Sequence, residues 1–206
     1  MNKGLLFSCL LGVSCISQAA PITLEYQGFY QRLKQLNSGH YPLIDLAFSV
    51  PKQGDCIIKE GSIRTEKEVF PLVVNQAQRI FIPYDDRLKS DRALIQLEMV
   101  NDASQCGIGM QIRAKQTQHR YRQAELIELK QQMNDLYKSM QGFPLRYFSS
   151  DIDGLTFEFD DRSSVIFDGE QQSIEARFTL SASQIDSMDE LAFDAKPTII
   201  SPWFKQ

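Results

Sequence analysis

The chain has 206 residues, 43% of them hydrophobic and 23% charged, and a formal net charge of −4. This is the ordinary composition of a globular protein, with enough length for a buried core in one sizeable domain or two small ones. A negative balance without any block of Lys or Arg excludes the electrostatic footprint by which proteins hold nucleic acid.

The first twenty residues, MNKGLLFSCLLGVSCISQAA, place one cation, Lys3, ahead of an uncharged apolar stretch from Gly4 to Ile16. That stretch is too short for a stable spanning helix and has the form of a secretory signal. Ser17 and Ala19 put small residues where a signal peptidase reads, so cleavage is expected after Ala19, leaving about 187 residues. The competing reading is a lipoprotein signal in which Cys15 is acylated, although Gly12 stands where such signals usually carry Leu. Beyond Ile16 no stretch approaches the roughly 18 apolar residues of a spanning helix, so the mature chain is expected in the periplasm without a transmembrane segment. Cleavage removes Cys9 and Cys15 and leaves Cys56 and Cys106 in an oxidising compartment. A Cys56–Cys106 disulfide is therefore expected, joining strand-like runs far apart in sequence, with two buried free thiols as the alternative.

Past the signal, ITLEYQGFYQRLKQLNSGH begins as a strand and then sets Phe29, Leu33 and Leu36 on one helical face beside Tyr26 and Tyr30, with Asn37-Ser38-Gly39 as the stop. LIDLAFSV alternates Ile44, Leu46, Phe48 and Val50 against Asp45, Ala47 and Ser49, the period of a half-buried strand. The runs CIIKEG, SIRTEKEVFPLVV, RIFIPY, ALIQLEMV and CGIGMQIRA follow, with Gly107 and Gly109 suggesting a bulge or an edge twist. Short strands so closely spaced predict an antiparallel sandwich or barrel.

From about Tyr121 the period changes. Leu126, Leu129, Met133, Leu136 and Met140 recur at steps of three and four, with Glu125, Glu128, Lys130 and Asp135 off the stripe and Gly142 and Pro144 closing the segment. This predicts an amphipathic helix over 122–141, packed on the protein's own sheets rather than in a coiled-coil dimer. Strand signals return in LTFEFDD, SSVIFDG, SIEARFTL and ELAFD, and the chain closes with KPTIISPWFKQ. A stretch this short needs the helix or the first module to complete its core. The expected fold is mainly β with helices, in the α+β class. It comprises a signal peptide at 1–19, an antiparallel β-sandwich-like module at 20–118, a connecting amphipathic helix at 119–142 and a small β-rich module at 143–206.

This layout resembles the DUF2987 family of gammaproteobacterial exported proteins. The resemblance lies in FYQRLKQLNSGH, the paired cysteines of the first β module, the connecting helix, GLTFEFDD and the closing SPWF. It implies an envelope protein of a Gram-negative bacterium, and brings no catalytic residue, cofactor or ligand that could be placed on this chain.

The residues themselves supply little chemistry. His40 and His119 are the only histidines, distant in sequence and outside any HExxH or paired CxxC arrangement, and read as surface or loop residues. Asp151-Ile152-Asp153-Gly154 opens like a calcium loop, yet its twelfth position would be Arg162, a cation. Looser calcium coordination by Asp151, Asp153, Asp160 and Asp161 stands beside the simpler reading of hairpin turns. No GxSxG elbow and no phosphate-cradling motif occur, and Glu158 and Asp160 cannot be read as a glycosidase pair without geometry. No catalytic, cofactor-binding or metal-ligating residue is assigned. Trp203, the only tryptophan, reads either as a binding residue for a sugar face or partner or as an aromatic plug for the last strand.

The sequence therefore points to a non-catalytic envelope protein acting on an unknown protein partner or ligand. The alternatives are a glycan- or peptide-binding module with a groove between the modules lined by Tyr and Phe, and a hydrolase with scattered carboxylates. An exposed apolar patch favours a protein partner, and a polar cleft with a strongly shifted carboxyl favours the enzyme. Protein recovered from the periplasm should have the intact mass of a chain beginning at Ala20. A species beginning at an acylated Cys15 would show lipid anchoring instead.

Overall fold

The computed structural model describes residues 21–51 and 56–205. The expected signal segment at 1–19, its expected cleavage site and Cys15 lie outside the described residues. Strand β1 (Ile22–Glu25) runs directly into helix α1 (Tyr26–Ser38). The deepest residues of α1 are Tyr26, Tyr30 and Leu33, while Phe29 and Leu36 sit half-buried at the margin of the core. Tyr26 can be fully buried because its hydroxyl donates to the Pro83 carbonyl at 2.6 Å and accepts the Asp85 N–H at 2.9 Å.

Six further strands, β2 (Ile44–Ser49), β3 (Ile58–Arg64), β4 (Val69–Val74), β5 (Arg79–Phe81), β6 (Leu94–Met99) and β7 (Gly109–Ala114), join β1 in an antiparallel sheet of order β1-β6-β3-β4-β5-β2-β7. This curled sheet, with helices packed on it, is the expected β-sandwich-like architecture. Two details differ from the sequence pattern. CIIKEG and SIR form one strand, β3, and a register shift between Ile58 and Glu60 places the bulge there rather than at Gly107 and Gly109. Those glycines lead instead into β7, last in the sheet order. Helix α2 (Asp86–Ser90) was not legible, being too short to show a period; Asp85 caps it by accepting the Arg87 N–H at 2.7 Å.

The rest of the chain begins with strand β8 (Arg120–Arg122), so residues expected to open the connecting helix are extended. Helix α3 follows over Gln123–Gln141. The strands β9 (Gly154–Glu158), β10 (Ser163–Phe167), β11 (Glu170–Ile174) and β12 (Arg177–Ser181), helix α4 (Ala182–Ser187), and strands β13 (Glu190–Phe193) and β14 (Ile199–Trp203) complete the fold. They form a four-stranded sheet, β11-β10-β13-β8, and a three-stranded sheet, β12-β9-β14. The run SIEARFTL thus supplies two strands to two different sheets. Gly154 is required where β9 is paired on both sides, because a Cβ there would lie 2.1 Å from the Leu180 carbonyl oxygen.

Helix α3 joins these parts. Leu126, Leu129, Met133 and Leu136 are buried, and the helix contacts α1, β2 and β7 of the first half and β8, β14 and α4 of the second, while β14 also lies directly against β7. Buried residues from both halves form one continuous apolar cluster. The Cys56–Cys106 disulfide closes the first half, with a Cα–Cα distance of 5.6 Å and a sequence separation of 50. By the chain-entropy relation a loop of this size contributes about 4 kcal/mol.

Lys130, off the stripe, is half-buried, whereas Gln131 is exposed, which makes Gln131 the better control for the orientation of the helix. Leu136→Ala should cost about 2–5 kcal/mol in denaturant titration, since a cavity is left as well as transfer energy lost. Gln131→Ala should shift stability by less than about 0.5 kcal/mol.

Candidate functional site

The C-terminal end of α3 is built by two helices. The last carbonyls of a helix have no intrahelical partner and carry the negative end of its dipole. Here α1 reaches across to them: Arg32 Nη1 donates to the Met140 carbonyl at 3.0 Å, and Gln35 Nε2 donates to that of Ser139 at 3.4 Å. Gly142, with φ of +71°, then turns the chain out in a conformation that L side chains rarely adopt.

Beside this junction lies an open groove of about 370 Å³, lined chiefly by Arg32, Met110, Ile112, Tyr137, Met140 and Phe204. Tyr137 and Phe204 pack with ring centroids 5.0 Å apart. The walls come from α1, β7, α3 and the end of β14, so the groove lies between the two halves of the chain. Its chemistry is an apolar surface with one guanidinium at the side, suited to binding and lacking any paired acid and base.

Immediately past the groove, the segment Phe143–Phe148 forms an exposed turn around a single 3-10 turn at Leu145–Tyr147. Phe143 is 86% exposed, Leu145 58%, Tyr147 64% and Phe148 81%. The turn is held by its own backbone: the N–H groups of Arg146, Tyr147, Phe148 and Ser149 donate to the carbonyls of Gly142, Pro144, Leu145 and Leu145 at 2.8–3.1 Å. The Arg146 guanidinium lies 4.7 Å from the Tyr147 ring centroid and donates to its hydroxyl at 2.7 Å.

A second cavity, of about 380 Å³, lies near the other end of α3 and is lined by Pro42, Leu43, Lys115, Tyr121, Glu125 and Leu129 among others. Tyr121 and Glu125 of this lining are engaged in structure. Tyr121 accepts the Gln118 N–H, and its burial pushes the phenol up to about 12. Glu125 accepts the Arg122 N–H at 2.8 Å as part of the cap of α3.

Trp203 is half-buried at the end of β14, opposite Gly154. Its neighbours Pro202 and Phe204 line the groove while Trp203 does not, the alternation a strand imposes. Its carbonyl accepts the Asp153 N–H at 2.9 Å. His40 occupies a turn with φ of 54°, and His119 is an exposed loop residue. Among the described residues no three His, Cys, Asp or Glu side chains group as metal ligands. Of the aspartates considered for calcium, Asp151 pairs with Lys138 and Asp153 accepts the Lys205 N–H at 2.8 Å. Glu158 pairs with Arg177 at 3.1 Å.

Sequence reasoning anticipated a groove with Tyr and Phe but none of its positions, and passed over Phe143–Phe148 because Gly142 and Pro144 read only as a helix stop. The available signal was a cluster of large apolar residues, between that stop and Asp151, with neither the strand nor the helix period.

Residues 18–159 match the family described as "Protein of unknown function (DUF2987)". The match covers well over half of the chain, and the chain belongs to that family. It spans α1, the seven-stranded sheet, α3, the exposed turn and β9, leaving Pro202 and Phe204 outside. No curated protein and no solved structure matches the chain.

The shifted carboxyls reflect the same structural use of polar groups. Asp194 is held down at about 2, first by the Ser163 hydroxyl and then by the Ser164 N–H, which tie the start of β10 to the end of β13. A carboxyl depressed in the folded state adds stability that is complete above its ordinary value of 3.8 and is lost as pH falls through about 2. Urea titrations from pH 5 down to pH 2 should therefore show a loss of stability in the wild type over that interval, and a smaller loss in Asp194→Asn.

Proposed function

We propose that this chain is a non-catalytic interaction or accessory protein of the periplasm in a Gram-negative bacterium, with the C-terminal end of α3 as its working surface. The observation that carries the reading is the exposed run Phe143, Leu145, Tyr147 and Phe148. Burying one such side chain is worth about 1.5–3 kcal/mol, and soluble monomers rarely leave large apolar side chains contiguous in water. The signal-like sequence at 1–19 and a disulfide of the kind an oxidising compartment maintains support export.

The groove favours a second reading, a binding module for a short peptide or glycan with Tyr137 and Phe204 as its aromatic wall. Photo-crosslinking in intact cells separates the two. A photoreactive amino acid at Phe148 should give adducts, while one at exposed Gln172 on β11 should not. Adducts from Met110 alone would favour the groove, and none from either Phe148 or Met110 would overturn both readings.

A further inference from the structure

Six consecutive residues, Phe143 to Phe148, are all exposed, and four of them carry large apolar side chains. Side chains this exposed stand out from the surface rather than line a hollow. A folded protein partner needs a matching cavity for such a knob, whereas the headgroup layer of a bilayer accommodates one by rearranging. We propose that this turn seats the protein on an anionic lipid surface, with the apolar side chains entering the headgroup layer and Arg146 remaining among the phosphates. The inference rests on the reading of this end of α3 as the working surface, and names its partner.

Three further features of the turn fit that partner. Its composition of Phe, Leu and Tyr around one Arg is that of an interfacial anchor, in which aromatic rings sit at headgroup level and a long cation keeps its charge in the polar layer. Its charge differs from the molecule's. The chain carries a formal −4, yet no acid occurs between Asp135 and Asp151, and Asp151 is paired with Lys138 at 2.5 Å. Along the chain, this end therefore presents Arg146 to an anionic surface with no acid before the paired Asp151. Its backbone is also prepared, since the N–H groups from Arg146 to Ser149 are bonded within the turn, so entry into a drier layer leaves none of them unpartnered. The contact is superficial, as no helix among the described residues is long and apolar enough to cross a membrane.

Vesicle flotation of the mature, disulfide-bonded protein tests the inference. The probes are vesicles of phosphatidylethanolamine with about one quarter phosphatidylglycerol, against vesicles of phosphatidylcholine alone. The wild type should float with the anionic vesicles and less with the neutral ones, and raised salt should weaken the binding. The triple variant Phe143→Ser, Leu145→Ser and Phe148→Ser should lose at least about tenfold in partitioning. Arg146→Gln should reduce binding to the anionic vesicles alone. Because these positions are exposed, thermal unfolding should be unchanged in both variants, which separates loss of binding from loss of fold. A wild type that stays with the unbound protein, or a triple variant that floats equally well, overturns the proposal. If flotation fails while a photoreactive residue at Phe148 captures a protein in the cell, the membrane assignment falls and the interaction reading stands. If neither occurs, both fall.

Discussion

The burial of one stripe of α3 between two sets of strands is the constraint on which the rest of the molecule depends. Leu126, Leu129, Met133 and Leu136 are buried on a helix that contacts α1, β2 and β7 of the first half and β8, β14 and α4 of the second. The four- and three-stranded sheets of the second half are small, and a stretch of about 60 residues buries too little surface to be stable alone. Packing on α3, together with the direct approach of β14 to β7, joins their apolar residues to those of the seven-stranded sheet, so the chain has one continuous core despite the change in sequence character near Tyr121.

Fixing α3 also fixes what happens where it ends. Its last carbonyls need partners, and Arg32 and Gln35 supply them from α1, which pins the two helices together at that point. The same contact places Arg32 in the wall of the groove with Tyr137 and Met140, and Gly142 then directs the following turn outward. The groove and the exposed turn are thus consequences of how one helix is terminated, and neither requires a separate structural element.

Legibility followed the length and locality of each feature. Helix α3 spans 19 residues, enough for several repeats of its apolar step, and the Cys56–Cys106 pairing followed from the expectation that a signal carrying the only other thiols is cleaved. Helices α2 and α4, of five and six residues, show no period, and only a cap such as Ser181 with Gln184 marks the second. SIEARFTL looks like one strand because the change of partner between β11 and β12 is a tertiary event with no local signature. The groove was illegible for the same reason, since Arg32, Met110, Tyr137 and Phe204 are gathered from four separate elements. Trp203 drew attention as the only tryptophan, yet on an extended strand its two neighbours face the groove in its place.

The distribution of polar and apolar chemistry gives the last step. Asp194 joins β10 to β13, Asp45 pairs with Arg79 at 2.6 Å across β2 and β5, Glu158 pairs with Arg177 across β9 and β12, and Lys138 meets Asp151 in the segment that leads into β9. Each of these groups closes a seam between elements and is engaged by that work. At the end of α3 the arrangement is reversed: the N–H groups from Arg146 to Ser149 are bonded within the turn, and the apolar side chains are turned outward. Such a surface offers a partner chiefly apolar area, and the free energy available from that area is released only when water is displaced from it.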